Sequence, residues 1–182
     1  MAWLPNLLTI VRILLTPFIV RDVLDGHCGV ALPFAMFAGF TDAADGYVAR
    51  LLKSTSRTGA WLDPVADKFL LTGLYLSFGY GGLAPWPLVW LVVGRDALIL
   101  AMVGTGLLIT SIRDFPPTIW GKICTVVQIA GALILLASCS SVAGAGGLVL
   151  PALVVIFLAT GWSGVHYVWR ALVLLRSARQ KV

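Results

Sequence analysis

The chain has 182 residues, 59% of them hydrophobic and only 12% charged, with a mean hydropathy of +0.96. That length suits one domain, and that composition excludes an ordinary water-soluble fold. The net charge of +5 is spread over the ends of apolar segments rather than gathered in a patch, so nucleic acid is not an expected partner.

Six apolar runs, at about 4–24, 29–52, 56–79, 84–110, 117–138 and 146–175, each supply roughly the 20 residues needed to cross a bilayer. Lipid cannot satisfy a bare backbone, so all six are expected to be helices. The expected class is an all-α integral membrane protein, with one domain over residues 1–182. In the first run Pro5 starts the helix, and Asn6, Thr9, Arg12 and Thr16 then share about one third of its circumference. Arg12 either faces the interior or snorkels to the surface. The turn "LDGHCG" follows, with His27 expected at the surface. The second run carries Ala35 and Gly39 at a spacing that suits close helix contact, and ends in "FTDAADGYVAR".

The third run contains "TGAWLDPVADKFLL" and stops at "GYGGLAP". The fourth carries Arg95 and Asp96, which either pair with each other or with a neighbour. After "RDFPP", with Arg113, the fifth run opens at Lys122, and Thr125 and Gln128 continue its side. Lys122 reads equally well as an interfacial anchor. "SSVAGAGG" precedes the sixth run, in which His166 is expected to pack among aromatics. Cys28, Cys124 and Cys139 show neither a disulfide framework nor metal-ligand spacing, and are expected as free thiols. No basic leader precedes the first run, so no signal peptide is expected.

Basic residues fall in alternate links. Arg50, Lys53 and Arg57 lie between runs two and three, Arg113 and Lys122 between four and five, and Arg170, Arg176, Arg179 and Lys181 in the tail. The other links are nearly free of net positive charge. Positive residues favour the cytoplasmic side, so both termini and the end of the second run are expected there. Trp86 and Trp90 then anchor one face of the membrane, and Trp3, Trp61, Trp120 and Trp169 the other.

All eight acidic residues are aspartate, and four of them, Asp42, Asp45, Asp63 and Asp67, crowd into the second and third runs. Residues three and four apart share a helix face, which pairs Asp42 with Asp45 and Asp63 with Asp67. Four carboxylates so close raise one another's pKa unless a cation compensates. Oxygen ligands without His or Cys favour Mg²⁺ or Mn²⁺ over zinc. Small residues beside the acids leave room for a ligand, and arginine forks onto phosphate. A bland alternative exists for Asp63: "DP" makes a good N-cap followed by proline at the first helical position. It does not explain the other three acids. Ion relay in a transporter is a second alternative.

The pattern D-x2-D-G-x2-A-R-x8-G-x3-D-x3-D is complete at Asp42, Asp45, Gly46, Ala49, Arg50, Gly59, Asp63 and Asp67. It resembles the signature of the CDP-alcohol phosphatidyltransferase family, whose members have a six-helix membrane core. The resemblance implies transfer of a phosphatidyl group from CDP-diacylglycerol to an acceptor hydroxyl, with release of CMP. It implies Asp42, Asp45, Asp63 and Asp67 as ligands of Mg²⁺ or Mn²⁺, two ions in number, with Asp67 also the general base. Gly46, Ala49 and Gly59 would make room for the nucleotide, Arg50 would hold its phosphates, and Asn6 would join the CDP-lipid site. A homodimer is implied as well. "PNLLT" followed by Arg12 resembles the branch that uses glycerol-type acceptors. Arg95, Arg113 and Lys122 are the best cations for an acceptor phosphate. "GRD" and "PPTIWGKICTVVQ" look closer to members whose acceptor is phosphatidylglycerol than to those using glycerol 3-phosphate. Membrane prenyl-transferring enzymes share the need for Mg²⁺ and diphosphate but differ in aspartate spacing. A transporter needs polar residues at several depths, and the outer halves of these runs offer few.

Overall fold

Each apolar run becomes one helix. The computed structural model describes the backbone of residues 3–52, 59–109 and 119–179, and side chains within 10–41, 68–102 and 119–170. The helices are α1 (Trp3–Leu24), α2 (Cys28–Leu52), α3 (Gly59–Tyr80), α4 (Trp86–Ile109), α5 (Ile119–Cys139) and α6 (Val149–Arg179), with a 3-10 turn at Ala145–Leu148. Among the described residues there is no strand. The boundaries fall within about four residues of those read from hydropathy.

α1, α3 and α5 stop in the same way. A residue in the left-handed region, Gly26 (φ 78°), Gly82 (φ 72°) or Ser141 (φ 60°), turns the chain out of the helix. The following N–H then reaches back over the last turn: His27 to Asp22 O (2.7 Å), Leu83 to Phe78 O (2.8 Å) and Val142 to Ala137 O (3.0 Å). These bonds satisfy carbonyls that a bare helix end leaves open. Glycine meets the positive φ at little cost at positions 26 and 82.

Round the bundle the order is α1–α2–α5–α6–α4–α3 and back to α1, with α5 also touching α3 across the ring. The core is filled by Ile19 and Val23 of α1, Leu71, Leu74 and Phe78 of α3, Val89 and Val92 of α4, Leu135 and Leu136 of α5, and Ile156 of α6. α5 and α6 approach closely at Gly131, where a Cβ would lie 2.3 Å from Ile156 Cδ1.

Polarity runs opposite to that of a water-soluble protein. Arg12, Arg95, Asp96, Gln128, Thr160 and Ser163 are buried, whereas Phe18 is 65% exposed, Leu158 64% and Leu150 71%. A surface of that kind suits an apolar solvent, which drives polar groups inward to find partners. Ile119–Cys139 and Ala145–Arg170 have the length and hydropathy to cross a membrane, and both face mostly outward. Aromatic clusters mark the two ends: Tyr80, Trp86 and Trp90 at one, Trp120 with Trp162 at the other.

One sequence expectation is corrected and one alternative is closed. Cys28 and Cys139 are not free thiols but a disulfide, with Cα atoms 5.7 Å apart. α2 begins where α5 ends, and these helices pack together, so residues 111 apart in sequence meet. Cys124 alone remains free and buried. Asp63 is not a helix cap, because α3 begins four residues earlier at Gly59 and Asp63 lies inside it.

Candidate active site

Asp42, Asp45, Gly46, Ala49 and Arg50 lie in the last half of α2, and Gly59, Asp63 and Asp67 in the first half of α3. The side chains of these eight residues, and that of Asn6 on α1, lie outside the described ones, as does Arg113 altogether. Residues 53–58 connect the two helices, and so short a link spans at most about 25 Å. The two acidic segments are therefore at the same end of the bundle, opposite the disulfide.

Helical register ties them to what is described. Ala35, Ala38 and Gly39 of α2 line a cavity of about 30 Å³ with Leu70, Leu71 and Leu74 of α3, Arg12 of α1, and Ile129, Ala132 and Leu133 of α5. Position 42 follows Gly39 by three residues and Ala38 by four, and position 45 follows Ala38 by seven. Position 67 precedes Leu70 by three, Leu71 by four and Leu74 by seven, and position 63 precedes 67 by four. Both pairs of aspartate positions thus continue the helix stripes that line one cavity. The cavity itself has room for about one water molecule.

Arg12 is 1% exposed and faces this interior, which settles the choice between interior and snorkelling positions. Its stripe also behaves as read from sequence: Thr16 is buried, and its hydroxyl donates to Arg12 O at 2.8 Å.

A second polar cluster braces the adjoining side of α3. Asp96 Oδ1 accepts from Arg95 at 2.6 Å and from Lys68 Nζ at 3.0 Å. Arg95 also donates to Ser163 Oγ at 3.0 and 3.2 Å and to Gly121 O at 3.2 Å. Its guanidinium lies 5.6 Å from the centre of the Tyr167 ring, a cation–π distance. Arg95 and Asp96 do pair with each other, and Arg95 also cross-links α5 and α6. Lys122, by contrast, is exposed at the start of α5. Thr125 donates to Gly121 O at 3.1 Å, and Gln128 is fully buried with its amide on Thr160 at 3.2 Å. His27 is exposed in its turn, and His166 packs against Tyr167 and Trp169, as expected.

Sequence reasoning passed over Lys68. The signal was present, since it is the only basic residue in α3 and Asp96 the only acid in α4. Charges inside apolar helices seek each other, which makes that pair the natural match.

The family model for CDP-alcohol phosphatidyltransferase matches residues 2–163. A Mycobacterium tuberculosis protein named "Putative cardiolipin synthase" is 36% identical over 163 residues, covering 87% of this chain and 72% of that protein. "Cardiolipin synthase (CMP-forming)" of Rattus norvegicus is 41% identical over 101 residues, 55% of this chain and 33% of the rat protein. "CDP-diacylglycerol--glycerol-3-phosphate 3-phosphatidyltransferase" of Cereibacter sphaeroides is 39% identical over 107 residues, 54% of this chain and 48% of that protein. The chain belongs to the CDP-alcohol phosphatidyltransferase family. It is an enzyme of that class, a transferase of phospholipid biosynthesis. The family is generally dependent on divalent metal.

Proposed function

We propose that this enzyme transfers the phosphatidyl group of CDP-diacylglycerol to a hydroxyl of phosphatidylglycerol, making cardiolipin and releasing CMP. The reading is supported by the family match over residues 2–163 and by helical register, which sets positions 42, 45, 63 and 67 on stripes continuing from one cavity between helices. Two such pairs form an all-oxygen donor set, which fits Mg²⁺ or Mn²⁺. Asp42, Asp45, Asp63 and Asp67 would hold two ions. When bound, these ions supply charge neutralisation of the diphosphate and of the departing CMP.

The remaining steps belong to the chain's own residues. Gly46, Ala49 and Gly59 present no bulk to the nucleotide, and Arg50 and Asn6 hold its polar groups. Asp67 takes the proton of the acceptor hydroxyl as its oxygen bonds to the phosphatidyl phosphorus. The bond from that phosphorus to CMP breaks. Arg95, Arg113 and Lys122 provide positive potential for the acceptor's phosphate. Lys122 is exposed and accessible, while Arg95 acts from within its brace.

All six helices span the bilayer in this reading, with both termini and the aspartates at the cytoplasmic face of a bacterial inner membrane or its equivalent. The distribution of basic residues supports this orientation. So does the disulfide, which sits at the opposite end of the bundle and persists best in an oxidising compartment. The working unit is a homodimer.

The cardiolipin assignment is supported by the names of the mycobacterial and rat relatives and by "GRD" in α4. The Cereibacter relative favours a second reading, with glycerol 3-phosphate as acceptor. The deciding experiment supplies purified protein with CDP-diacylglycerol and Mg²⁺ or Mn²⁺, and offers the two acceptors separately. CMP with cardiolipin from phosphatidylglycerol is expected. Product from glycerol 3-phosphate alone would keep the mechanism and reassign the acceptor. No CMP with either, or with other alcohols, would sink the transferase reading and return the aspartates to ion transport.

A further inference from the structure

Lys68 directly follows Asp67, so an ammonium on a flexible four-carbon stem starts beside four carboxylates meant for a divalent cation. Such a group competes with metal for acidic oxygens, and repels it besides. The structure shows where the ammonium goes. Lys68 Nζ sits on Asp96 Oδ1 of α4 at 3.0 Å, and Asp96 is 2% exposed.

The direction matters. The stripe through Leu70 and Leu74 lines the cavity shared with α1 and α2, and position 67 continues it. Seven residues on from Lys68 is Tyr75, whose hydroxyl donates to Gln128 O of α5 at 2.9 Å. The stripe of Lys68 therefore faces α4 and α5, roughly a quarter-turn from that of Asp67. Asp96 is itself held still, because Arg95 grips the same oxygen while bonded to Ser163 and Gly121.

We propose that Asp96 is a positioning residue: it draws the Lys68 ammonium away from the aspartates and leaves their carboxylates to the metal. The inference rests on the metal-dependent reading above. It assigns α4 a part in the reaction that needs no contact with substrate.

The test reads metal binding directly, by the electron paramagnetic resonance signal of free Mn²⁺ titrated into purified full-length protein without lipid substrate. Asp96→Asn frees the ammonium and should weaken Mn²⁺ binding by about tenfold or more. Lys68→Met removes it and should bind Mn²⁺ at least as tightly as the wild type. The double variant should return to the wild-type range. A purely structural brace predicts the opposite pattern: Lys68→Met weakens binding like Asp96→Asn, and the double variant gains nothing. That result would overturn the proposal. If Asp96→Asn does not fold, Lys68→Met alone decides, since weaker binding in it is incompatible with a restrained competitor. A wild type that binds no Mn²⁺ would instead remove the metal reading itself, an outcome visible before any variant is made.

Discussion

Replacing Cys28 and Cys139 by serine opens a loop that the disulfide closes across 111 residues. Chain-entropy reasoning gives about 5 kcal/mol for closing so long a loop in a fully unfolded chain. In a micelle or bilayer the unfolded chain keeps its helices, so less freedom is regained. The expected loss is about 2–4 kcal/mol. For a chain of this size that lowers the unfolding midpoint by about 5–15 °C. The assay is thermal unfolding in detergent, with and without reductant. The wild type should fall to the level of the double-serine variant on reduction, and the variant should not respond. Thiol counting closes the test: the denatured, unreduced wild type should show one reactive thiol, Cys124, and three after reduction. Three thiols before reduction would refute the pairing. An unchanged midpoint despite a proven disulfide would refute the loop-closure reasoning. CMP release at low temperature should survive, because the bond lies at the end of the bundle away from the aspartates.

Three further outcomes are expected. Asp67→Asn should lose about 10²–10⁴-fold in transfer with its unfolding midpoint unchanged, and near-normal turnover would remove Asp67 from the base role. Chelation with EDTA should stop CMP release, and Mg²⁺ or Mn²⁺ should restore it; activity that persists in excess chelator would end the metal-dependent reading. Gly131→Ala should cost about 1–3 kcal/mol, since its new Cβ would meet Ile156 Cδ1 at 2.3 Å and Cγ1 at 2.8 Å in a fully buried site. Adding Ile156→Val, which deletes Cδ1, should recover part of that loss in a thermal unfolding assay.

The helices were legible because lipid-length hydropathy and turn chemistry are local signals. "LDGHCG" and "GYGGLAP" carry the glycines that end α1 and α3, and no distant contact is needed to place them. The aspartate positions could be paired within each helix because their spacing is helical. Pairings across helices were not. Cys28 with Cys139 and Lys68 with Asp96 depend on which helices become neighbours, and hydropathy is silent on that order. Local chemistry left Asp63 open as a cap: "DP" is a good helix start, yet α3 begins at Gly59. Gln128 was read only as continuing the side of Lys122 and Thr125. One turn beyond Thr125 it is fully buried, with its backbone carbonyl accepting from Tyr75 and its side chain bonded to Thr160.

The kinds of cross-link change along the bundle in an order that desolvation explains. Nearest the aspartates, helices are joined by ions: Lys68 and Arg95 on Asp96. Further along α3 the links are neutral, from Tyr75 to Gln128 and on to Thr160. Beyond them lie the apolar contacts of Phe78 and Val89, and at the far end stands the covalent bond of Cys28 to Cys139. A charge costs most where water and polar groups are most distant, so ionic links belong beside a polar site and not deep in the apolar half. The same order has a mechanical consequence. The disulfide fixes the entry of α2 against the exit of α5, while the aspartate halves of α2 and α3 lie beyond that tie. A shift between those halves would break only reversible contacts, since the covalent tie lies at the other end of the bundle.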